Sequence, residues 1–234
     1  MNPWNTDVCF DADAFSGVAR LFPLPNLVMY PHVMQPLHIF EGRYREMLED
    51  ALASDRLIAL ALLEPGWEPD YESRPPVAQY ACLGKIVTHH RLEDGRYNLL
   101  LMGVGRIRIL EELSPPRSFR QAKVELLREC CGGPAEQLDD LRGDLLTAFK
   151  HLLPCSCQVP EQLTEMLSKH LPLGMLTDLA SYTLPLELAV KRELLAECRV
   201  AARARILLKQ LEVLLANHTT VAASASFPPP FSAN

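Results

Sequence analysis

No surplus of basic residues runs through this chain: 23 Lys and Arg stand against 29 Asp and Glu, for a net charge of −6. A protein that grips nucleic acid through its phosphates carries a cationic footprint, so this balance argues against nucleic acid as a partner. Long apolar runs are missing too. The longest, Leu57 to Leu63, is far short of the roughly 20 residues that cross a bilayer, which argues against a membrane partner. The opening residues, Met1 to Asp13, lack a basic stretch followed by an apolar one, so no secretory leader is expected. The seven cysteines (Cys9, Cys82, Cys130, Cys131, Cys155, Cys157 and Cys198) are odd in number and include an adjacent pair, which makes a poor disulfide framework. A reducing cytoplasm is the expected compartment.

Motifs that carry chemistry are equally scarce. The chain has no Gly-x-x-x-x-Gly-Lys-Ser/Thr, no His-Glu-x-x-His and no Gly-x-Ser-x-Gly. Gly103-Val-Gly105 opens like a dinucleotide loop, but Arg108 stands where the third glycine belongs, and the segment joins strands rather than a strand to a helix. Cys155-Ser-Cys157 has no second pair at zinc-finger spacing. His89 and His90 are neighbours on an expected strand and point to opposite faces, so they read as structural residues, buried or half-exposed. Cys130 and Cys131 read as small apolar fillers. No catalytic residue, metal site or cofactor is expected, and the chain reads as a non-enzyme.

What the chain does have is proline. Four lie between Leu21 and Phe40, at Pro23, Pro25, Pro31 and Pro36, in a stretch dense with apolar residues. Each fixes φ, removes a donor and pushes its predecessor towards extended geometry. The stretch therefore reads as a stiff extended ribbon of edge pieces and turns, neither a helix nor a central strand. A helix follows over Glu41–Ser54, with Phe40, Tyr44, Met47, Leu48 and Ala51 as its apolar stripe. Leu57–Leu63 reads as a buried strand. Residues 64–76 form a proline-rich loop whose Trp67 and Tyr71 are candidate recognition groups.

Val77–Leu92 and Arg96–Met102 pair across the Asp94-Gly95 turn, since Asp-Gly supplies the positive-φ positions of a hairpin. Gly103-Val-Gly105 breaks the second strand at a bulge or a close backbone approach. Arg106–Leu110 and Phe119–Leu127 supply two more strands. Beyond Cys130-Cys-Gly-Gly-Pro134 the period changes. Leu138, Leu141, Leu145, Phe149 and Leu152 step by three and four, and further helices are expected over Pro160–Leu171, Leu173–Tyr182, Pro185–Glu197 and from Val200 through Leu214. The stretch from Thr219 to Asn234, rich in Ala, Ser and Pro, reads as a disordered tail.

Several of these segments, in this order, resemble one family. Phe22 to Pro31, Pro36 to Phe40 and Arg43-Tyr-Arg45 resemble the start of the Lon N-terminal domain, the substrate-binding domain of the ATP-dependent protease Lon. Leu83 to Val87, Asp94-Gly95 and Gly103 to Ile109 resemble its central hairpin, and Leu184 to Leu188, Lys191 to Leu195 and Arg203 its closing helices. The resemblance runs from about Val18 to Leu215 and implies a stand-alone bacterial type without the ATPase and protease modules. It implies an α+β fold: a PUA-like β-barrel or sheet subdomain with one helix over 18–130, then a helical bundle over 131–217, between a flexible lead-in at 1–17 and the tail at 218–234. The implied role is non-catalytic binding of unfolded or extended polypeptide, as an adaptor in protein quality control, with an ATP-dependent protease or chaperone as a further partner.

Candidate binding residues are Tyr30, Pro31 and His32 on the ribbon, with Trp67 and Tyr71. Leu21, Leu24, Val28 and Phe40 are expected to pack inward. The alternative is a PUA-like RNA-binding module using Arg106, Arg108, Arg117 and Arg120. One departure from the family concerns Arg199, which stands where members carry an Asp that caps the last helix. A cation there opposes the helix dipole, so a frayed or shifted start is expected.

Overall fold

The computed structural model describes residues 10–152 except 72, 115 and 116, then 171–218 and 232–233. The chain divides into two compact units: residues up to Leu127 with the segment carrying Ser232–Ala233, and residues from Arg128 onward.

The first unit is built on strands β1 (Val18–Leu24), β2 (Met34–Ile39), β3 (Leu57–Leu63), β4 (Val77–Arg91), β5 (Tyr97–Glu112) and β6 (Arg120–Leu127), with helix α1 (Gly42–Leu52) between β2 and β3. The pairing order β4-β3-β1-β6-β5 closes on itself because β4 also pairs with β5, and β2 adds to the first half of β5. A barrel of five strands is narrow, so small side chains fill it. Ala19, Ala59, Ala61, Ala81 and Ala122 lie inside with Leu21, Leu57, Leu83, Ile107 and Val124. The opposite face of β3, through Ile58, Leu60 and Leu62, is buried as well, which explains the continuous apolar run. Helix α1 buries Tyr44, Met47, Leu48 and Ala51, and the Tyr44 ring stands edge-on to Phe22 at 4.6 Å. Each such large side chain contributes roughly 1.5–3 kcal/mol.

The ribbon differs from its expected form. Its first piece, β1, is a central strand, parallel to β3 and antiparallel to β6. Pro23 is accommodated because the β6 ladder ends at Leu21↔Arg120. The Gly17 carbonyl accepts from Val124 on the β6 side, so the two-residue alternation turns the nitrogen of Pro23 to that same, by then unpaired, side. Leu21, Leu24 and Val28 pack inward, whereas Phe40 is 42% exposed. Phe40 precedes α1 and continues the face of β2 that carries Met34, which is exposed too.

Strand β5 runs through Gly103-Val-Gly105 rather than stopping there. The register against β4 slips by one residue at Val104, and a Cβ on Gly103 would lie 2.0 Å from the Tyr30 carbonyl oxygen. The bulge and the close approach therefore both occur. His32 reaches a φ of 65°, and its N–H donates to the Gly103 carbonyl at 2.8 Å. His89 and His90 are exposed, at the end of β4 where it extends beyond the barrel core.

The second unit comprises α2 (Ala135–Leu152), α3 (Leu173–Thr183), α4 (Leu188–Ala196) and α5 (Val200–His218). Leu145, Leu176, Ala180, Leu194, Ala204, Leu207 and Leu211 form its core. The helix expected over Pro160–Leu171 lies outside the described residues except for Leu171, as does the expected tail except for Ser232–Ala233. Those two residues form a short strand, β7, paired in parallel with β2 at Leu37 and His38.

The start of α5 is ordered, contrary to the fraying expected from Arg199. The N–H groups of Val200 and Ala201 donate to the carbonyls of Cys130 and Cys131 at 2.9 and 3.1 Å. Glu197 accepts from both the backbone and the guanidinium of Arg199. Backbone carbonyls thus satisfy the donors a capping side chain would have met. Cys130 and Cys131 do this with their backbones, and their side chains are exposed rather than filling a core.

Candidate polypeptide-binding surface

The ribbon's candidate residues separate on folding. Tyr30 and Pro31 are buried, and their backbone lies against Gly103, so neither presents a side chain to a partner. His32 alone of the three is exposed. Trp67 and Tyr71 meet in an edge-on pair at 5.5 Å and are both half-buried. The Tyr71 hydroxyl donates to Glu41 at 2.6 Å, and the Arg43 guanidinium lies over its ring. Burial and the Glu41 bond push the Tyr71 hydroxyl up to about 12. The loop is thus fastened to the start of α1, and much of its aromatic surface is spent on the protein itself.

The four arginines of the RNA alternative are committed elsewhere. Arg106 is buried, Arg108 pairs with Glu125 at 2.5 Å, Arg117 with Asp50 and Arg120 with Glu112. Neutralised guanidiniums present no stripe to a phosphate backbone. A cavity of about 570 Å³ beside them is lined by Arg43, Arg74, Arg120, Ser73, Ser118 and Phe119, and two of those arginines are held by Glu41 and Glu112. Among the described residues, no cluster of three or more His, Cys, Asp or Glu side chains is placed to hold a metal.

Of the large apolar side chains described as exposed in this unit, Leu110 stands by itself on β5, and the other two flank β2. Met34 is 43% exposed and Phe40 42% exposed, one at the head of the strand and one just past its end. Between them, on the same face by alternation, stand Pro36 and His38. His38 Nδ1 is 2.7 Å from Asn98 Oδ1 on β5, and its ring stacks near Phe40 at 6.1 Å. Sequence reasoning missed this strip because Phe40 fits the helical stripe of α1. The available signal was Pro36, which marks an edge strand.

The family model of the ATP-dependent protease La (LON) substrate-binding domain matches residues 18–213. The chain belongs to this family. A Lon protease of Dictyoglomus thermophilum is 27% identical over 202 residues, covering 84% of this chain and 25% of the relative. Lon protease 2 of Desulfotalea psychrophila is 29% identical over 192 residues, covering 82% and 24%. The chain thus spans about a quarter of the length of these curated relatives, and its match is to the substrate-binding domain, so no catalytic domain is evident. Among solved structures, the N-terminal domain of a Mycobacterium avium complex Lon protease superposes with a TM-score of 0.65 at 18% identity, over 83% of this chain and 98% of that one. A Lon N-terminal domain protein from Xanthomonas campestris gives 0.59 at 22% identity, over 85% and 97%. The fold is the α+β fold of these domains.

Proposed function

We propose that this protein binds extended or unfolded polypeptide without chemistry, as a recognition or adaptor module in bacterial cytoplasmic protein quality control that hands its clients to an ATP-dependent protease or chaperone. The observation that carries the reading is the family match over residues 18–213 to a substrate-binding domain. The strip of Met34, His38 and Phe40 supports it with a location: exposed large apolar side chains beside an edge strand suit an extended chain. The paired state of Arg108, Arg117 and Arg120 gives the RNA alternative no support.

The test is fluorescence anisotropy with labelled, carboxymethylated α-lactalbumin, which stays unfolded. Saturable binding is expected, and Phe40→Asp should weaken it about tenfold, on the order of the 1.4 kcal/mol that removing a contact anchor costs, with an unchanged urea midpoint. No binding at high micromolar protein overturns the reading.

A further inference from the structure

The backbone of β2 has two edges, and the alternation of its hydrogen-bonding groups decides which side each residue serves. The Val33 carbonyl accepts from the Gly103 N–H at 2.9 Å, which turns the backbone groups of Val33, Gln35, Leu37 and Ile39 towards β5. Met34, Pro36 and His38 therefore direct theirs to the outer edge. Pro36 fits in mid-strand for this reason: its missing N–H falls on the side where β5 asks for none. The outer edge is also guarded. The Gln35 side-chain amide donates to the Pro36 carbonyl at 2.8 Å, and proline offers no donor beside it. The first open donor along the edge after Pro36 is the His38 N–H.

In the structure that position is taken. Ser232 pairs with Leu37 and Ala233 with His38 in a parallel ladder. This register sets the backbone of Ser232 against the Pro36 carbonyl and the His38 N–H, the outward groups that flank Leu37. A segment nearly 200 positions further along the sequence, counting from His38 to Ser232, thus reaches the open His38 donor of the edge, beside a Pro36 carbonyl that it shares with the Gln35 amide.

We propose that the outer edge of β2, centred on the His38 N–H, is the docking site for extended polypeptide, which adds as a parallel strand, and that Ser232–Ala233 is an internal occupant competing for it. The inference rests on the polypeptide-binding reading and gives that reading a mode. The partner is an extended segment whose alternate residues are apolar, so that main-chain hydrogen bonds meet Pro36 and His38 while side chains lie beside Met34 and Phe40. A two-residue occupant makes few hydrogen bonds, so a longer segment displaces it.

Two full-length variants test this. Ser232→Pro removes the N–H that faces the Pro36 carbonyl, and His38→Pro removes the edge donor. Amide exchange at His38 should be about two- to tenfold faster in Ser232→Pro than in the native chain, while Leu37, whose N–H faces β5, is unchanged. Ser232→Pro should bind labelled carboxymethylated α-lactalbumin about two- to tenfold more tightly, because the binding-competent fraction rises, and the probe should restore slow exchange at His38. His38→Pro should lose binding, with Leu37 exchange reporting that its sheet is intact. Equal affinity of the native chain and Ser232→Pro, or unaltered His38 exchange when probe is bound, overturns the edge while leaving the polypeptide-binding reading in place. Failure of every form to bind the probe overturns both.

Discussion

Among the described glycines, Gly103 leaves the least room for a side chain. Its N–H and carbonyl close a tight exchange with Val33 and His32, and the Tyr30 carbonyl sits where a side chain would start. Backbone cannot retreat as a side chain can, so Gly103→Ala should destabilise the first unit by about 3 kcal/mol, read as a fall in the urea midpoint. Gly84 is the milder case, since an added Cβ would meet the Leu101 side chain at 2.5 Å. The sequence announces Gly103 as a strand glycine needing an explanation. It does not announce the partner, because Tyr30 lies 73 positions away and only the closing of β2 onto β5 brings them together. Phe40 shows the reverse failure. Its spacing from Tyr44 fits a helical stripe, but α1 begins at Gly42, so the ring belongs to the face of β2.

At the scale of elements, buried arginines join strands and helices to one another. In the first unit Arg20, on β1, reaches Asp50 at 2.5 Å, Asp55 at 2.7 Å and the Ser54 hydroxyl at 2.7 Å, so it fastens the C-terminal turn of α1 to the barrel. In the second, Arg203 on α5 is fully buried and donates to Glu129 at 2.5 Å, the Glu197 carbonyl at 3.0 Å and the Thr177 hydroxyl at 3.2 Å, with the Asp178 carboxylate 3.7 Å away. Asp178 is itself wholly buried. Removing the cation takes an ion-pair partner from buried Asp178 and from Glu129, so Arg203→Met should cost the second unit about 3–5 kcal/mol. Urea unfolding followed by far-ultraviolet circular dichroism measures it, and Asp178→Asn placed on that background should recover part of the loss. Periodicity locates α5 and its apolar face. It cannot tell a buried arginine from a solvated one, because both occupy positions that a helical wheel permits.

Over the whole molecule, acid is the common stress, since each unit holds a carboxylate shifted down. Burial works against ionisation of Asp50, but hydrogen bonds and charge from Arg20 and Arg117 prevail and hold its carboxyl below the usual range. Glu197 is held down first by the hydrogen bond from Arg199, against a smaller opposing effect of burial. A carboxyl whose folded pKa is depressed contributes stability that is complete above its unfolded value and disappears as pH falls through the folded one. Both units should therefore hold their stability down to about pH 4.5 and lose it progressively below, where the ordinary Asp and Glu values lie. Urea midpoints measured between pH 7 and about pH 3 check this, and Asp50→Asn should flatten the acid slope of the first unit.

The sequence by itself determined the class and most of the described elements, though not the central place of β1 or the unbroken run of β5. The all-apolar run became β3, the Asp94-Gly95 hairpin joined β4 to β5, the stripe of α1 except Phe40 turned inward, and the change of period beyond Gly132 separated strands from helices. These follow from local rules of alternation, turn chemistry and helical spacing, which act over a few residues and are written in order along the chain. Only the tertiary structure decided which side of each element is used. Closing the barrel buried Tyr30 and Pro31, drew Arg106, Arg108, Arg117 and Arg120 onto strands or into ion pairs, and fastened Tyr71 to Glu41. It left Met34, His38 and Phe40 along β2, which lies outside the five-strand ring and meets Ser232–Ala233 on its outer edge. Which strand lies outside the ring depends on pairings between residues far apart in sequence, and no local pattern carries that information.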